Sequence, residues 1–306
     1  MVEQLDVVII GAGPAGLAAA LYAGRARLKT VVLEKAIPGG QILLTDWIEN
    51  YPGFPEGVAP FDLMENFRKQ TVRFGATIVT DEAREIKRDG EKWIVRGAKT
   101  EYSARAIIIA AGSAYRRLGL PNESKLVGRG VSYCATCDGA FFRDLDIAVV
   151  GGGDTALMEA IYLTKFARRV ALIHRRDQLR GTRILQERIF ANPKIEMRWN
   201  SVVESILGEE NLEGVVLKNV KDGTLTTLKI EGLFVSIGMD PISEIAKGLL
   251  KLSSWGEILV DRDMSTSEPG IYAAGDVIDH CPHQVATAVG SGVHAALSVD
   301  EYLSGK

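Results

Sequence analysis

The chain has 306 residues, 46% of them hydrophobic and 25% charged, which is the composition of a globular protein long enough for two domains. Its 36 basic and 39 acidic residues leave a net charge of −3 without a run of one sign, which argues against nucleic acid or an anionic membrane as a partner. Three cysteines, only two of them close together, exclude a disulfide-stapled scaffold and favour the reducing cytoplasm.

The N-terminal segment predicts a strand–helix–strand unit. Residues 6–10 are an apolar run typical of a buried parallel strand, residues 17–27 indicate a helix, and residues 30–34 indicate a second strand that ends at Glu34. Between the first strand and the helix lies Gly11-Ala12-Gly13-Pro14-Ala15-Gly16, a turn that lets backbone approach a pyrophosphate at a helix N-terminus. The same turn breaks the uncharged stretch 7–24, so we expect neither a membrane span nor a targeting segment.

The next hundred residues predict loops, one helix and a hairpin. Glycine and proline mark residues 39–55 as loops, and residues 61–74 resemble an amphipathic helix. Residues 92–95 and 100–103 predict a β-hairpin, followed by an apolar strand over 106–110. The polar stretch 114–117 predicts a domain boundary.

The strand–turn–helix–strand pattern then repeats. Residues 146–150 predict a strand, Gly151-Gly152-Gly153-Asp154-Thr155-Ala156 a second glycine turn, 156–166 a helix and 170–173 a strand. Glu34 can accept a hydrogen bond from a ribose 2′-hydroxyl but would repel a 2′-phosphate, whereas the arginines after the second copy would attract one. The first site should hold an adenosine with a free ribose, as in FAD or NAD, and the second NADPH; the alternative is an exposed basic turn without a ligand. The predicted NADPH contacts are Gly151, Gly153, Asp154, Thr155, His174, Arg175, Arg176 and Arg180, with His174 giving a hydrogen bond or a stacking surface.

The C-terminal part predicts a hairpin over 214–228, a buried strand over 232–237, a linker at 238–241, a strand over 270–276 and a closing helix over 284–302. The segment after residue 241 is too short for a third domain, so we expect it to rejoin the first. The predicted fold is α/β, with two Rossmann-like dinucleotide-binding domains. Each domain has a three-layer ββα architecture, and the second domain is inserted in the first. The first spans 1–113 and 241–306, and the second spans 114–240.

The run Cys134-Ala135-Thr136-Cys137-Asp138-Gly139 stands between the two glycine turns. A metal half-site would need two further ligands, and only Cys281 and four scattered histidines remain. A structural disulfide at this spacing is unusual in the cytosol, so we interpret the pair as redox-active. Asp138 either starts an Asp-Gly turn or exchanges protons with the thiols, and we predict no metal site and no chemistry for Cys281.

Together these motifs resemble the low-molecular-weight thioredoxin reductases of bacteria and archaea over essentially the whole chain. The resemblance implies FAD and NADPH as cofactors, a thioredoxin or thioredoxin-like protein as substrate, and a homodimer. It implies that Cys137 faces the flavin, that Cys134 attacks the substrate disulfide and that Asp138 is the general acid. The implied FAD contacts are Gly11, Ala12, Gly13, Pro14, Ala15, Glu34, Gly40, Gln41, Asn50, Gly112, Asp276, Gln284 and Val285.

Four positions depart from the pattern of that family: Ala111, Met158, Leu179 and His283 stand where a threonine, a glutamate, a phenylalanine and an arginine are common. The expected function is NADPH-dependent disulfide reduction, with a rotation of the inserted domain about the linkers 114–117 and 237–241. The rivals are a ferredoxin-linked reductase, a flavin dithiol oxidase and a non-catalytic redox-sensing or metal-binding module.

Overall fold

The computed structural model describes residues 3–44, 48 and 50–305, without the side chains of Glu3, Leu44 and Cys137. The α-helices are α1 (Pro14–Arg25), α2 (Pro60–Arg73), α3 (Ala135–Asp138), α4 (Asp154–Leu163), α5 (Arg183–Ala191) and α6 (Val285–Ser304). The strands are β1 (Glu3–Ile10), β2 (Thr30–Glu34), β3 (Thr77–Thr80), β4 (Ala83–Asp89), β5 (Lys92–Gly97), β6 (Glu101–Ile109), β7 (Ser113–Tyr115), β8 (Val131–Ser132), β9 (Asp146–Gly151), β10 (Arg169–Ile173), β11 (Ile195–Arg198), β12 (Ser201–Leu207), β13 (Gly214–Asn219), β14 (Leu225–Leu228), β15 (Gly232–Ser236), β16 (Met239–Pro241) and β17 (Ile271–Ala273).

The chain divides into two compact units. The first contains the described residues within Met1–Leu43, Trp47–Ala114 and Asp240–Lys306, and the second contains those within Leu44–Asp46 and Tyr115–Met239. The short strands β7 and β16, at the two places where the chain passes between the units, pair with each other. No helix among the described residues is long and apolar enough to cross a membrane.

The first unit is built on a sheet in the order β3-β2-β1-β6-β5-β4, with β17 also paired to β6. β1 runs parallel to β2 and β6, and its alternate side chains enter two different cores because both faces of the sheet are covered. The core on one face also contains α1 and α6, and the core on the other contains side chains of β4, β5 and the segment after residue 245. Burial on both faces explains the uninterrupted apolar run, since each fully buried aliphatic side chain contributes roughly 1.5–3 kcal/mol.

The second unit repeats the scheme with a five-stranded sheet in the order β11-β10-β9-β15-β8, in which neighbouring strands run parallel. Side chains of α4 and α5 pack on one face, and the three-stranded antiparallel sheet β12-β13-β14 packs on the other. The sequence predicted most of these elements, including the hairpin now seen as β13 and β14. The sequence analysis predicted two strands where β6 is one, because the exposed Arg105 interrupts an otherwise buried run. It also predicted no helix at α5, which buries only Ile189.

Candidate active site

The first glycine turn connects β1 to α1 with no room for side chains. Gly11 has φ of +104°, and a Cβ atom there would collide with the carbonyl oxygen of Ala110. A Cβ atom on Gly16 would collide with the carbonyl oxygen of Gly11, so only glycine allows the helix to approach the strand this closely. α1 begins at Pro14 with Gly13 as its N-cap and without a side-chain hydrogen bond at the cap. The first N–H groups of the helix are therefore positioned for a phosphate anion.

Glu34 closes the turn at the end of β2. Its Oε2 accepts the N–H of Ala12 at 2.9 Å, and its Oε1 accepts the N–H of Ala36 at 3.0 Å. These bonds fix the carboxylate at a cavity of about 440 Å³ that is lined by Gly11, Leu33, Glu34, Ala111, Ile245 and further residues of the same unit. Each oxygen keeps acceptor capacity, so the group suits a ribose with free hydroxyls. Ala111, one of the four departures, is part of the lining.

A second loop lies over the glycine turn. Gly39 donates its N–H to the carbonyl of Ala12 at 2.8 Å, and a Cβ atom on Gly40 would be 3.2 Å from the Cα of Gly13. Gln41, in the adjoining 3₁₀ turn Gly40–Leu44, has a buried Oε1 without a hydrogen-bond partner among the described residues. A buried acceptor without a partner is costly, and a donor on a bound flavin would satisfy it. The unpaired Gln41 oxygen is therefore the observation that supports FAD as the ligand of this site.

Several of the remaining predicted FAD contacts lie at or close to the start of α6. Asn50 Nδ2 donates to Gln284 Oε1 at 3.0 Å, although the two residues are 234 positions apart, and Gln284 is the N-cap that precedes Val285. Asp276 lies in the 3₁₀ turn Gly275–Val277, which follows β17, and a Cβ atom on Gly275 would be 2.8 Å from the Cβ of Ala15. Gly112 follows Ala111 and accepts the N–H of Ile242 at 2.9 Å. Segments distant in the chain thus meet in the first unit, and one of them, at Gly275, reaches the first turn of α1.

Cys281 is a free, half-buried cysteine in the first unit, and its Sγ donates to Asp276 Oδ1 at 3.5 Å. Burial raises the pKa of this thiol, and the neighbouring carboxylate adds to the effect. A raised pKa makes this thiol less reactive, and the absence of chemistry at Cys281 stays a prediction. His283, another of the departures, is exposed and has φ of +53°.

The second glycine turn connects β9 to α4 and is closed by His174. A Cβ atom on Gly152 would collide with the imidazole ring, and His174 Nε2 lies 3.0 Å from the carbonyl oxygen of Gln178. The ring is buried, and burial lowers the pKa of His174 despite backbone hydrogen bonds to Gln178 and Gly151. His174 is thus a neutral support of the turn, and its predicted contact with NADPH stays a prediction.

The basic segment after β10 folds back on this turn. Arg180 donates its N–H to the carbonyl of Gly152 at 2.7 Å, and Asp154 Oδ1 accepts the N–H of Thr182 at 2.6 Å. The side chains of Arg175, Arg176 and Arg180 are exposed, and Gly153, the N-cap of α4, has open space at its Cβ position without a capping side-chain hydrogen bond. An open helix N-terminus beside three exposed arginines is a cradle that fits NADPH.

Two of the departures lie close to this cradle. Met158 is 52% exposed on α4, whereas Leu179 is 8% exposed and packs in the same core as Leu157. Leu179 is therefore a core residue beneath the basic segment.

The redox candidate lies in the second unit, where Cys134 is the N-cap of the four-residue helix α3. Cys134 is half-buried and disulfide-bonded, its N–H donates to Ser132 Oγ at 3.1 Å, and Thr136 Oγ1 lies 3.3 Å from its Sγ. Asp138, whose N–H donates to the carbonyl of Cys134 at 3.2 Å, is partly exposed at the end of the helix. The Cys137 side chain lies outside the described part of the structure, so its predicted role stays a prediction. No group of three or more possible metal ligands occurs in the part of the chain that the structure describes.

A family model described as pyridine nucleotide-disulphide oxidoreductase matches residues 5–292. The chain belongs to this family. The thioredoxin reductase of Streptomyces coelicolor is 47% identical over 307 residues, which cover 99% of this chain and 95% of the relative. The structure of Lactococcus lactis thioredoxin reductase in its FR conformation has a TM-score of 0.82 at 41% identity and covers 99% of this chain and 100% of that chain. A ferredoxin-flavin thioredoxin reductase from Clostridium acetobutylicum is less similar, with a TM-score of 0.55 at 32% identity over 100% of both chains.

As a member of the pyridine nucleotide-disulphide oxidoreductases, the protein is a flavoprotein enzyme that acts on disulfides with FAD and NADPH. The predicted resemblance, the enzyme class, the cofactors and the fold of two Rossmann-like domains are confirmed. The individual contacts to FAD and NADPH stay predictions, although the described residues fit both groups.

Sequence reasoning missed two carboxyl groups that hold the segment around Cys134. Glu123 is 1% exposed and accepts three backbone N–H groups, those of Leu118, Gly119 and Leu120, together with the hydroxyl of Tyr133 at 2.8 Å. Burial and the bond to Glu123 raise the pKa of Tyr133, which therefore stays neutral and fixes the chain directly before Cys134.

The second missed group is the half-buried Glu159 on α4, the helix that packs against α3 directly after Cys134. Ser236, the last residue of β15, donates its hydroxyl to Glu159 Oε2. Burial raises the pKa of Glu159 to about 7, although the Ala135 amide lowers it. The sequence signal was a glutamate among the apolar residues of the predicted helix 156–166, next to the buried Ala160.

Proposed function

We propose that the protein is an NADPH-dependent thioredoxin reductase. The observation that carries the proposal is the disulfide-bonded Cys134 at the start of α3, in the same unit as the glycine turn with exposed Arg175 and Arg176. Support comes from relatives named thioredoxin reductases that match nearly the full chain. The substrate is a protein disulfide, that of a thioredoxin or a thioredoxin-like protein.

We further propose that residues 1–113 and 241–306 are the FAD-binding domain and that residues 114–240 are the NADPH-binding domain with the redox pair. The orphaned Gln41 Oε1 and the cavity at Glu34 support the first assignment. The open N-terminus of α4 and the exposed arginines support the second. Glu34 selects a ribose with free hydroxyls by accepting hydrogen bonds, and the arginines select a 2′-phosphate by charge.

The disulfide partner of Cys134 is proposed to be Cys137, since Cys281 is free. When bound, FAD would supply the two-electron chemistry that connects NADPH to the disulfide. Cys137 is the inner sulfur that receives these electrons, and Cys134 is the outer nucleophile that attacks the disulfide of the substrate. Asp138, one residue after Cys137, gives and takes the proton of the thiol.

The redox pair must reach the flavin in one half of the cycle and the protein substrate in the other. We propose that the inserted domain rotates about the linkers 114–117 and 237–241, so that nicotinamide and disulfide reach the flavin in turn. We also propose a homodimer, which rests on the resemblance to the family, and the cytoplasmic location inferred from the cysteines stays a prediction.

Absorption spectroscopy with purified holoenzyme tests the proposed function. NADPH should bleach the flavin absorbance, and oxidised thioredoxin should restore it over many turnovers. Bleaching without recovery would refute the proposal that thioredoxin is the substrate. Bleaching by reduced ferredoxin but not by NADPH would support a ferredoxin-linked reductase instead. Oxygen consumption with a dithiol in the absence of NADPH would identify a dithiol oxidase instead.

The variant Cys137→Ser tests the order of the electrons. We expect thioredoxin reduction to be abolished, because no disulfide forms, while NADPH still bleaches the flavin at a rate within about threefold of the wild type. A stopped-flow trace at the flavin band measures the first reaction, and a coupled turnover assay measures the second. Loss of both reactions would contradict the assigned roles.

A further inference from the structure

A hydroxyl group lies against the sulfur of the redox-active Cys134. Thr136 Oγ1 is 3.3 Å from Cys134 Sγ, which is a hydrogen-bonding distance for sulfur. Cys134 is disulfide-bonded, and a disulfide sulfur has no hydrogen to donate, so the hydroxyl of Thr136 is the donor in the oxidised protein. The contact therefore places a proton donor directly on one of the reacting atoms.

Hydrogen bonds fix the backbone on both sides of this contact. Ser132 Oγ accepts the N–H of Cys134 at 3.1 Å and donates to the carbonyl oxygen of Cys134 at 3.3 Å. The same carbonyl oxygen accepts the N–H of Asp138 at 3.2 Å. Ala135, between the two residues in contact, is completely buried in a core that includes side chains of α4. The turn thus holds the hydroxyl and the sulfur in one geometry.

Packing gives no reason for a threonine at this position. The side chain of Thr136 is exposed, whereas the neighbouring Ala135 is buried. On a helix, a threonine hydroxyl commonly bonds a carbonyl oxygen of the preceding turn or points into solvent. The hydroxyl of Thr136 lies against the sulfur instead, so the chemistry of Cys134 accounts for it better than burial does.

We propose that the Thr136 hydroxyl stabilises the thiolate form of Cys134, the outer nucleophile of the proposed function. The proposal rests on that function, which requires Cys134 to attack as a thiolate in every cycle. In the oxidised protein the hydroxyl donates to a neutral sulfur, and after reduction it donates to a charged one. A hydrogen bond to a charged acceptor is roughly twice as strong as one to a neutral acceptor. Thr136 is thus a catalytic residue, since it touches the reacting sulfur and favours its charged form.

Atoms and electrons balance in this cycle. Two electrons and one proton, the equivalent of the hydride that NADPH gives up, reach the disulfide through the flavin and break the S–S bond. Cys137 becomes a thiol, and Cys134 becomes a thiolate beside the Thr136 hydroxyl, which keeps its proton. The thiolate attacks one substrate sulfur, and the other substrate sulfur leaves and takes the proton of the Cys137 thiol through Asp138. The Cys137 thiolate then attacks Cys134 Sγ, re-forms the disulfide and releases the first substrate sulfur as a thiolate.

The titratable groups near Cys134 on the described elements are carboxyl and phenol groups. On α3 and on α4, which packs against it, these groups are Asp138, Asp154, Glu159 and Tyr162. The 3₁₀ turn Gly139–Phe142 has no charged residue, and Tyr133 stays neutral because burial and its bond to Glu123 raise its pKa. A carboxylate among these groups opposes a thiolate, so a neutral donor at the sulfur is a favourable contribution.

The test is the rate of alkylation of Cys134 as a function of pH. The holoenzyme variant Cys137→Ser is treated with iodoacetamide between about pH 5 and 10, and mass spectrometry of peptides separates Cys134 from the free Cys281. Only the thiolate reacts, so the midpoint of the rate profile is the pH at which half of Cys134 is ionised. Adding Thr136→Val, which replaces the hydroxyl by a methyl group, should raise this midpoint by about 0.5–1 pH unit. This shift is a change of about 3- to 10-fold in the ionisation constant, as expected for one hydrogen bond.

Two further variants are the controls. Thr136→Ser keeps the hydroxyl and should leave the midpoint within about 0.3 pH unit of its position with threonine. Thr226→Val, the same change at an exposed threonine of β14 in the same unit, should not move it. An unmoved midpoint in Thr136→Val, or an equal shift in Thr136→Ser, would overturn the proposal. If Thr136→Val does not fold, Thr136→Ala, which also lacks the hydroxyl, must give the same shift.

Turnover with thioredoxin gives a second readout in the protein with both cysteines. Thr136→Val should lower kcat/KM for thioredoxin about two- to threefold below the midpoint, because the higher nucleophilicity of the remaining thiolate offsets part of its loss. Well above the midpoint there should be no loss. A loss of equal size at every pH would indicate a structural role and overturn the proposal. The alkylation experiment uses neither NADPH nor thioredoxin, so its failure is distinguishable from failure of the proposed function.

Discussion

Residues of opposite charge lie near the ends of the corresponding strands β2 and β10 in the two units. Glu34 follows the last apolar position of β2, and Arg175 follows His174 after β10. The carboxylate is fixed by two backbone N–H groups, whereas the guanidinium groups of Arg175 and Arg176 are exposed. The first arrangement suits a fixed ribose, and the second suits a mobile phosphate that binds and leaves in every cycle.

We expect Arg175→Ala and Arg176→Ala each to lower kcat/KM for NADPH by about 10- to 100-fold, because one charge-assisted bond contributes roughly 1.5–3 kcal/mol. The value for NADH should stay within about twofold, since NADH has no 2′-phosphate for the arginines to contact. Initial rates with both nucleotides measure the ratio. Arg188→Ala, an exposed arginine on α5, is the control. An equal loss with both nucleotides would show that the arginines support the fold and do not select the cofactor.

The free energy of unfolding should depend on pH through Glu159. Burial raises its pKa from 4.5 to about 7, so the folded protein binds more protons than the unfolded chain between these values. The stabilisation that Glu159 contributes is therefore fully present below pH 4.5, and about 3 kcal/mol of it is lost as the pH rises through 7. In urea unfolding of the oxidised protein, Glu159→Gln should reduce the loss of stability between pH 5 and 8, whereas Glu210→Gln, the same change at an exposed carboxylate of the same unit, should not. A Glu159→Gln protein with the wild-type pH dependence would contradict this prediction.

Among the elements, those that bury apolar side chains on both faces were predicted from the sequence. β1, β2, β9 and β10 follow from continuous apolar runs. α5 was missed because its charged residues hide any apolar stripe, and its position depends on packing against α4. Glu159 was missed for a related reason: residue type indicates whether a carboxyl group is costly to bury, but only the packing of α3 on α4 shows that it is buried.

The contact between α1 and α6 offers a matched test at this scale. A Cβ atom on Gly292 would collide with the carbonyl oxygen of Ala15, in the helix that begins at the first glycine turn, whereas Gly290 has open space at its Cβ position. Gly292→Ala should therefore cost about 1–3 kcal/mol through overpacking and lower the FAD content. Gly290→Ala should stabilise the protein by up to about 1 kcal/mol through helix propensity. Thermal unfolding and the ratio of flavin to protein absorbance measure both effects, and an equal response of the two variants would show that the helices adjust freely.

For the whole molecule, the repeated strand–turn–helix pattern was enough to predict two nucleotide-binding units, because each turn indicates the same backbone geometry. Other features required the folded chain. Asn50 meets Gln284, and Gly275 meets Ala15, across separations that no local pattern reveals. The proposed site thus combines locally encoded turns with contacts that exist only after the C-terminal segment has joined the first unit.

The linker at residues 237–241 allows a test of the proposed rotation. Gly238 has φ of +109° and lies in this linker, and Gly223 has φ of +75° in the loop between β13 and β14. A Cβ atom on Gly238 would meet only side-chain atoms of Arg116, the nearest at 3.6 Å, and a Cβ atom on Gly223 would meet nothing within 4 Å. Alanine therefore causes no clash at either position but adds backbone strain of about 1–3 kcal/mol at both. We expect Gly238→Ala to slow thioredoxin turnover several-fold, because a hinge must change its backbone angles, whereas Gly223→Ala should leave turnover unchanged at a similar loss of stability. Steady-state turnover and thermal unfolding of the two variants provide the comparison, and equal turnover at equal stability would rule out a hinge at Gly238.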